Sequence, residues 1–386
     1  MQKRIRRLKI IACFGMIVLC LVWTVGFTYA FDQKAVNTLK KICSSCDLSN
    51  ADLHSFVISD FDLTGANLTG ANLTGANLSN VNLTGANLSN ANLSNANLSG
   101  ANLTSANLTG ANLTKANLIN ANLTKTILTS ATLTGANLTN ANLSGCNLSG
   151  FNLTGANLFQ ANLTGANLTK ANLTSAFINM SNLTGFDLSN ANLTGANLGG
   201  ATLINANLTN VNLTNANLYG AKLSGAKVTG VTLNGANLSG CDMTGINLAG
   251  AKLSGVNFSS SNLNGVNLSE ADLTGANLSG IVSLLIGANL SKANLSKANL
   301  KGAILSSYNL SKEALTQMKL STTTVTAANL GGTNLSNADL TSCSLAYTNL
   351  KGATLTGATL TNAVLDFATW TDGTACKTGS TGTCKK

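Results

Sequence analysis

Proline does not occur in this chain. At an average usage of about 5%, a sequence of this length would carry roughly 19. Proline has no backbone N–H, so its complete absence predicts a backbone in which almost every amide is engaged. Aromatic residues make up only 4% of the chain, which excludes a wide core built from large rings. Charged residues are 9%, and arginine ends at Arg7. From Leu63 to Phe186 there is no acidic residue, and the only charges are Lys115, Lys125 and Lys170. Without arginine or interleaved aromatics, the composition argues against nucleic-acid binding. A single histidine, His54, removes the usual general base from consideration, and the sparse, scattered carboxylates form no acid–base pair. Nothing here predicts a catalytic site, a metal site or a cofactor.

What the chain does have is one motif, repeated. From Leu48 to Leu278 a leucine or a substitute falls at every fifth position, and after a phase shift of two residues the run resumes from Leu290 to Leu365. Writing the central Leu as position i, Ala usually stands at i−2, Asn at i−1, Thr or Ser at i+1, and Gly or Asn at i+2. A period of five fits neither a helix nor a long strand, and it predicts a solenoid. Positions i−2 and i share a face in extended chain. Gly and Asn are the residues that best tolerate the positive φ of a corner. Each repeat is thus a minimal strand and a turn, unable to bury its Leu until turns stack.

These residues resemble the pentapeptide repeat family, whose consensus is A(D/N)Lxx, over residues 48–370. The resemblance implies an all-β fold, a right-handed quadrilateral β-helix with four repeats per turn and with i−2 and i pointing inward. Counted to Trp370, the sequence holds 64 such repeats.

The flanks differ. MQKRIRRLK carries five positive charges, Ile10 to Phe27 is an 18-residue run without charge, and Thr28-Tyr29-Ala30 ends it with a small residue. Residues 1–30 read as a signal peptide, which places the protein in the periplasm or outside the cell. The alternative is an inner-membrane anchor formed by residues 10–27, since 18 residues reach spanning length. The cleaved chain would carry 18 Lys against 13 Asp and Glu, a net charge of +5. Residues 31–47 predict a short N-terminal capping helix, started by Asp32, followed by a CxxC, with Phe56 and Phe61 filling space beneath it. The repeat is irregular at 281–287, where two residues are inserted, and at 311–328, where Glu313 and Met318 take the i−2 position. A carboxylate does not enter an apolar core unpaired, so the second stretch reads as an excursion. Residues 371–386 form a Gly/Thr-rich tail.

Cys146, Cys241 and Cys343 occupy i−2 and read as small buried core residues. Cys43 and Cys46 lie beside the first turn, and Cys376 and Cys384 bracket a loop in the tail. The favoured reading of the first pair is a local disulfide; a redox pair or half of a zinc site is the alternative, and neither has the surroundings it needs. A Cys376–Cys384 bond would close a loop and stabilise by roughly 2–3 kcal/mol. Exported pentapeptide repeat proteins carry a similar CxxC-D-L start and W-x-D-G…C…C tail, which implies a capping role for all four. The function predicted is a non-enzymatic exported scaffold or interaction surface, with a protein or envelope component as partner and the membrane engaged only by the N-terminal segment, if uncleaved. An alternative is binding of a regular surface, glycan or ice, by the Asn/Thr array. Gyrase inhibition by DNA mimicry, found in the family, is disfavoured because it needs an acidic face.

Overall fold

The computed structural model describes residues 43–280, 285–306 and 327–386. The signal peptide expected at 1–30, the capping helix expected ahead of Cys43 and most of the excursion expected at 311–328 lie outside the described residues. The chain divides into two compact units, Met1–Phe151 with Ala161–Ala166, and Asn152–Gln160 with Asn167–Lys386.

Both units are built from the same turn. In the first, parallel bridges run from Asp47↔Asn67 to Asn142↔Asn162; in the second, from Asn152↔Asn172 to Asn349↔Thr369. Bridged residues such as Asp47 and Asn67 are 20 apart, so four five-residue repeats complete one turn. Each unit is therefore a β-helix in which every i position stacks on another i position.

The missing prolines now have an accounting. In the repeat Ala66–Gly70, Ala66 N–H closes the corner onto Leu63 O at 3.0 Å, and Asn67 N–H donates back to Cys46 O at 2.8 Å. Leu68 N–H and Gly70 N–H donate forward to Asn87 O at 2.7 Å and Ser89 O at 2.8 Å. The fifth amide, Thr69 N–H, is held by Asn67 Oδ1 at 3.2 Å. No amide in the repeat is spare, and a proline at any position would remove one bond. The corner residue at i+2 adopts positive φ throughout, 66° at Gly70, 56° at Asn80 and 56° at Lys115.

Leu at i and Ala at i−2 are fully buried through the regular turns, as at Leu68 and Ala71. Where a polar residue replaces Ala, its donor finds a Leu carbonyl: Thr126 Oγ1 to Leu103 O at 2.9 Å, Thr333 Oγ1 to Leu330 O at 2.7 Å. In the first turn Phe56 is exposed and Phe61 half-buried.

Both irregularities are absorbed without losing the stack. Across the insertion near 281 the register becomes 22, as for Asn267 and Asn289. Across the second it becomes 40, as for Asn294 and Asn334. Ser306 and Ala327 meet in an antiparallel bridge, and Ala328 N–H donates to Leu305 O at 2.8 Å. The register therefore passes from Leu305 to Leu330, so the 64 repeats counted from sequence include four central positions, 310, 315, 320 and 325, that the register does not use, and leave out Leu285, which takes an i position.

Candidate interaction surface

The two ends carry the cysteines. Cys43 and Cys46 are bonded, with Cα atoms 5.3 Å apart, as are Cys376 and Cys384, 5.1 Å apart. Cys43 stands at i of the first repeat and Cys46 at i−2 of the next, and Cys46 N–H makes the corner bond to Cys43 O at 3.2 Å. The CxxC spacing therefore equals the step between two inward positions across one corner, and the bond replaces an Ala–Leu contact with a covalent one. At the other end the tail folds back antiparallel, with bridges Val364↔Thr381 and Thr369↔Ala375. Leu365 N–H and Phe367 N–H, which would otherwise point into solvent, donate to Ser380 O and Cys376 O at 2.8 and 3.0 Å. Lys386 Nζ reaches Asp372, whose carboxyl is held well below the usual range by that lysine and by Thr374.

Cys146, Cys241 and Cys343 are free and buried. Each thiol points at a Leu carbonyl, Leu123, Leu218 and Leu300, at 3.1, 3.0 and 2.7 Å. Burial pushes their pKa up to about 11, 12 and 12 respectively. These are unreactive core groups. His54 is exposed, with Nδ1 3.2 Å from the Asp52 carboxylate, and no nucleophile is placed beside it by the hydrogen bonds around it. Among the described residues no group of three or more His, Cys, Asp or Glu stands close enough to hold a metal ion.

The polar faces have their own order. Thr69 Oγ1 donates to Asn67 Oδ1 at 2.6 Å, and this Asn–Thr clasp recurs along the chain, for example at Asn112–Thr114 and Asn212–Thr214. Asn side chains also bond from turn to turn. In the second unit one such ladder runs unbroken from Asn197 through Asn217, Asn237, Asn257 and Asn277 to Asn299, at 3.1–3.3 Å per step. The Asn and Thr groups that looked like a free lattice in sequence are thus largely occupied with one another.

One face departs from this pattern. The column Asn157–Phe177–Asn197 is continuous with that ladder, so Phe177 stands where the ladder would otherwise gain a rung. Phe177, Met180 and Tyr219 are 49%, 64% and 62% exposed, and all three lie on this same face. Between Asn157 and Gly280 its outward positions carry no charge at all, whereas the other faces of these turns bear Lys222 and Asp242, Lys227 and Glu270, Lys252 and Asp272. A glycine makes room for Met180: a Cβ at Gly200 would fall 2.5 Å from Met180 Sδ. Reading the sequence by fives conceals this face; reading it by twenties lines the residues up.

A second opening lies where Lys227 and Asn247 fail to bridge, although Asn207↔Lys227 and Asn247↔Asn267 do form. The cleft there measures about 360 Å³ and has Lys227 as its single charged lining residue.

The sequence model of a family described as "Pentapeptide repeats" matches eight stretches, 46–85, 82–118, 111–150, 152–190, 191–230, 241–280, 283–312 and 324–369. A comparison with curated proteins finds no match. Among solved structures the chain is similar to HetL, a pentapeptide repeat protein involved in heterocyst differentiation regulation in the cyanobacterium Nostoc sp. strain PCC 7120. The two are 32% identical over 62% of this chain and 91% of HetL, with a TM-score of 0.28. Similarity extends to Rfr23, a pentapeptide repeat protein of the cyanobacterium Cyanothece 51142, at 35% identity over 33% of this chain and 87% of that one, TM-score 0.18. Full-length QnrB1, a plasmid-mediated fluoroquinolone resistance protein, is 18% identical over 51% of this chain and 90% of its own, TM-score 0.28.

Proposed function

Because this chain belongs to the pentapeptide repeat family, we propose that it works as that fold allows without chemistry: an exported, non-enzymatic β-helical scaffold that presents long ordered faces to a protein or another envelope component. The observation that carries this is the distribution of its polar groups. They are spent on the backbone and on one another, clasp by clasp and turn by turn, and not gathered into a pocket with a nucleophile and a base. A surface so ordered is rigid, and a rigid surface binds at low entropic cost.

Export is supported by the basic and apolar character of residues 1–30 and by the Cys43–Cys46 and Cys376–Cys384 pairs, which persist in oxidising compartments. The anchor reading of residues 10–27 predicts the same fold held at the inner membrane. Fluoroquinolone resistance, the role of QnrB1, gains no support here, since no acidic side chain occurs from Leu63 to Phe186. Binding of ice through a free Asn/Thr lattice is weakened by the clasps, which occupy the Thr hydroxyl protons and the Asn Oδ1 atoms.

Fractionation of cells expressing the full chain, followed by N-terminal sequencing, tests the reading. A periplasmic or secreted product beginning at Phe31 is expected. A cytoplasmic product that retains Met1 overturns it, and a membrane-bound product that retains the apolar run selects the anchor.

A further inference from the structure

We infer that the uncharged face of the second unit, marked by Phe177, Met180 and Tyr219, is a binding site for a neutral β-linked polysaccharide chain. The inference rests on the interaction-surface reading and names the partner's chemistry.

Each of the three side chains is placed where packing does not need it. Phe177 takes an i−1 position that elsewhere holds Asn, and so forgoes the side-chain bonds that Asn makes to its own repeat and to the next turn. Met180 takes a corner at φ 60°, a conformation disfavoured by roughly 1–2 kcal/mol for a residue with a Cβ, yet its side chain is 64% exposed. Tyr219 replaces a Thr or Ser and loses the hydroxyl half of the clasp, while its N–H still donates to Asn217 Oδ1 at 3.2 Å and its carbonyl accepts from Gly200 N–H at 2.8 Å. Three costs of stability with no return in the core, all on one face, point to selection for what the face meets.

The chemistry of the face chooses the occupant. A protein partner calls for a contiguous apolar patch, and these groups are separated by glycine and amide. A nucleic acid or an acidic polymer calls for cations, and the outward positions of this face hold none between Asn157 and Gly280. A pyranose ring offers a flat C–H face, which packs on an aromatic ring, and a rim of hydroxyls, which bond to amides. Phe177 lies two turns from Asn217, about 10 Å at the usual strand spacing, and Tyr219 stands two residues beyond Asn217, so the two rings are set obliquely, about 12 Å apart from backbone to backbone. A β-linked chain lying oblique to the stack can set a sugar on each ring. The glycines at 199, 200 and 220 leave a shelf between the rings, and the Asn197–Asn299 ladder sets a row of amides beside it.

The test uses the full exported chain with microcrystalline cellulose, chitin and, as a charged control, alginate. Co-sedimentation with cellulose or chitin and none with alginate is expected. Phe177→Asn and Tyr219→Thr restore the commonest residues of their positions and so preserve the fold; each is expected to weaken retention about tenfold, and the pair to abolish it. Phe177→Asn should also raise thermal stability, which separates lost binding from lost structure. Equal retention of the double variant overturns the assignment to this face. Failure of the wild-type chain to bind either neutral polymer overturns the glycan proposal while leaving the scaffold reading, which is decided by fractionation, untouched.

Discussion

Raising the pH from about 9 to about 11 should loosen this fold through three side chains that do nothing else. Cys146, Cys241 and Cys343 are protonated in the core, and burial lifts their pKa from an ordinary 9.0 to about 11, 12 and 12. The folded value lies above the unfolded one, so the contribution to stability is complete below pH 9 and is lost as pH rises through the window up to the folded values. Within it the unfolded chain has released three protons that the folded chain retains. The slope is then about 1.4 kcal/mol per pH unit at each thiol. Over two units this is up to about 3 kcal/mol for each, felt in one unit at Cys146 and in the other at Cys241 and Cys343. The loss is local, because in a stacked repeat each thiol acts on its own turn and the neighbours of that turn. The measurement is urea unfolding followed by far-ultraviolet circular dichroism across this pH range, for the wild type and for the variant with Ala at all three positions. Alanine is the regular occupant of i−2, so the variant should fold and its midpoint should fall much less with pH. A variant that loses as much stability as the wild type would show that lysine and tyrosine titration, not the buried thiols, governs alkaline unfolding.

Leu153→Asp places a carboxylate in a site from which water is excluded; it forfeits about 2–3 kcal/mol of burial and adds several more for the unpaired charge, so loss of protease resistance in the surrounding turns is expected. Gly225→Ala should cost more than Gly85→Ala, because a Cβ at 225 falls 2.2 Å from Asn205 Oδ1 while one at 85 meets nothing within 4 Å; both bear the positive-φ penalty of about 1 kcal/mol, and thermal melts of the two variants measure the difference. Reduction of Cys376–Cys384 should remove roughly 2–3 kcal/mol and raise hydrogen exchange in the last turn before the middle ones, whereas uniform loss of protection would contradict a capping role.

Much of this was legible beforehand, and the reason is the period. A Leu every fifth residue, Ala two before it and a corner former two after it dictate the turn without any long-range information, and the three buried thiols follow from occupying the Ala position. What stayed hidden depends on the period of 20 instead. Phe177 and Tyr219 are 42 residues apart and share nothing when read by fives. The Asn side chains offered themselves as a solvent-facing lattice, and only the stacked geometry shows Asn217 bonding to Asn197 at 3.3 Å and Thr69 turning inward to Asn67. The leucine period also runs on past Leu305, so the stretch to Val325 enters the count of 64 even though Glu313 and Met318 at i−2 already mark it as an excursion; the register of 40 between Asn294 and Asn334 is what takes four positions out of that count.

The full use of backbone amides has a consequence for how such a chain can change length. A residue added inside a repeat would displace every bond above it by one place and turn each Leu outward. The two additions present avoid this differently. The insertion near 281 shifts numbering by two, from 20 to 22, with the Asn277–Asn299 rung intact at 3.3 Å. The longer one falls between Ser306 and Ala327, which are bridged to each other. Length is therefore granular here: viable duplications and deletions within a unit are whole turns, corner bulges or closed detours. Anything written along one column, such as a run of amides, keeps its alignment through all three, so the face can be edited by a lineage without the scaffold being redrawn.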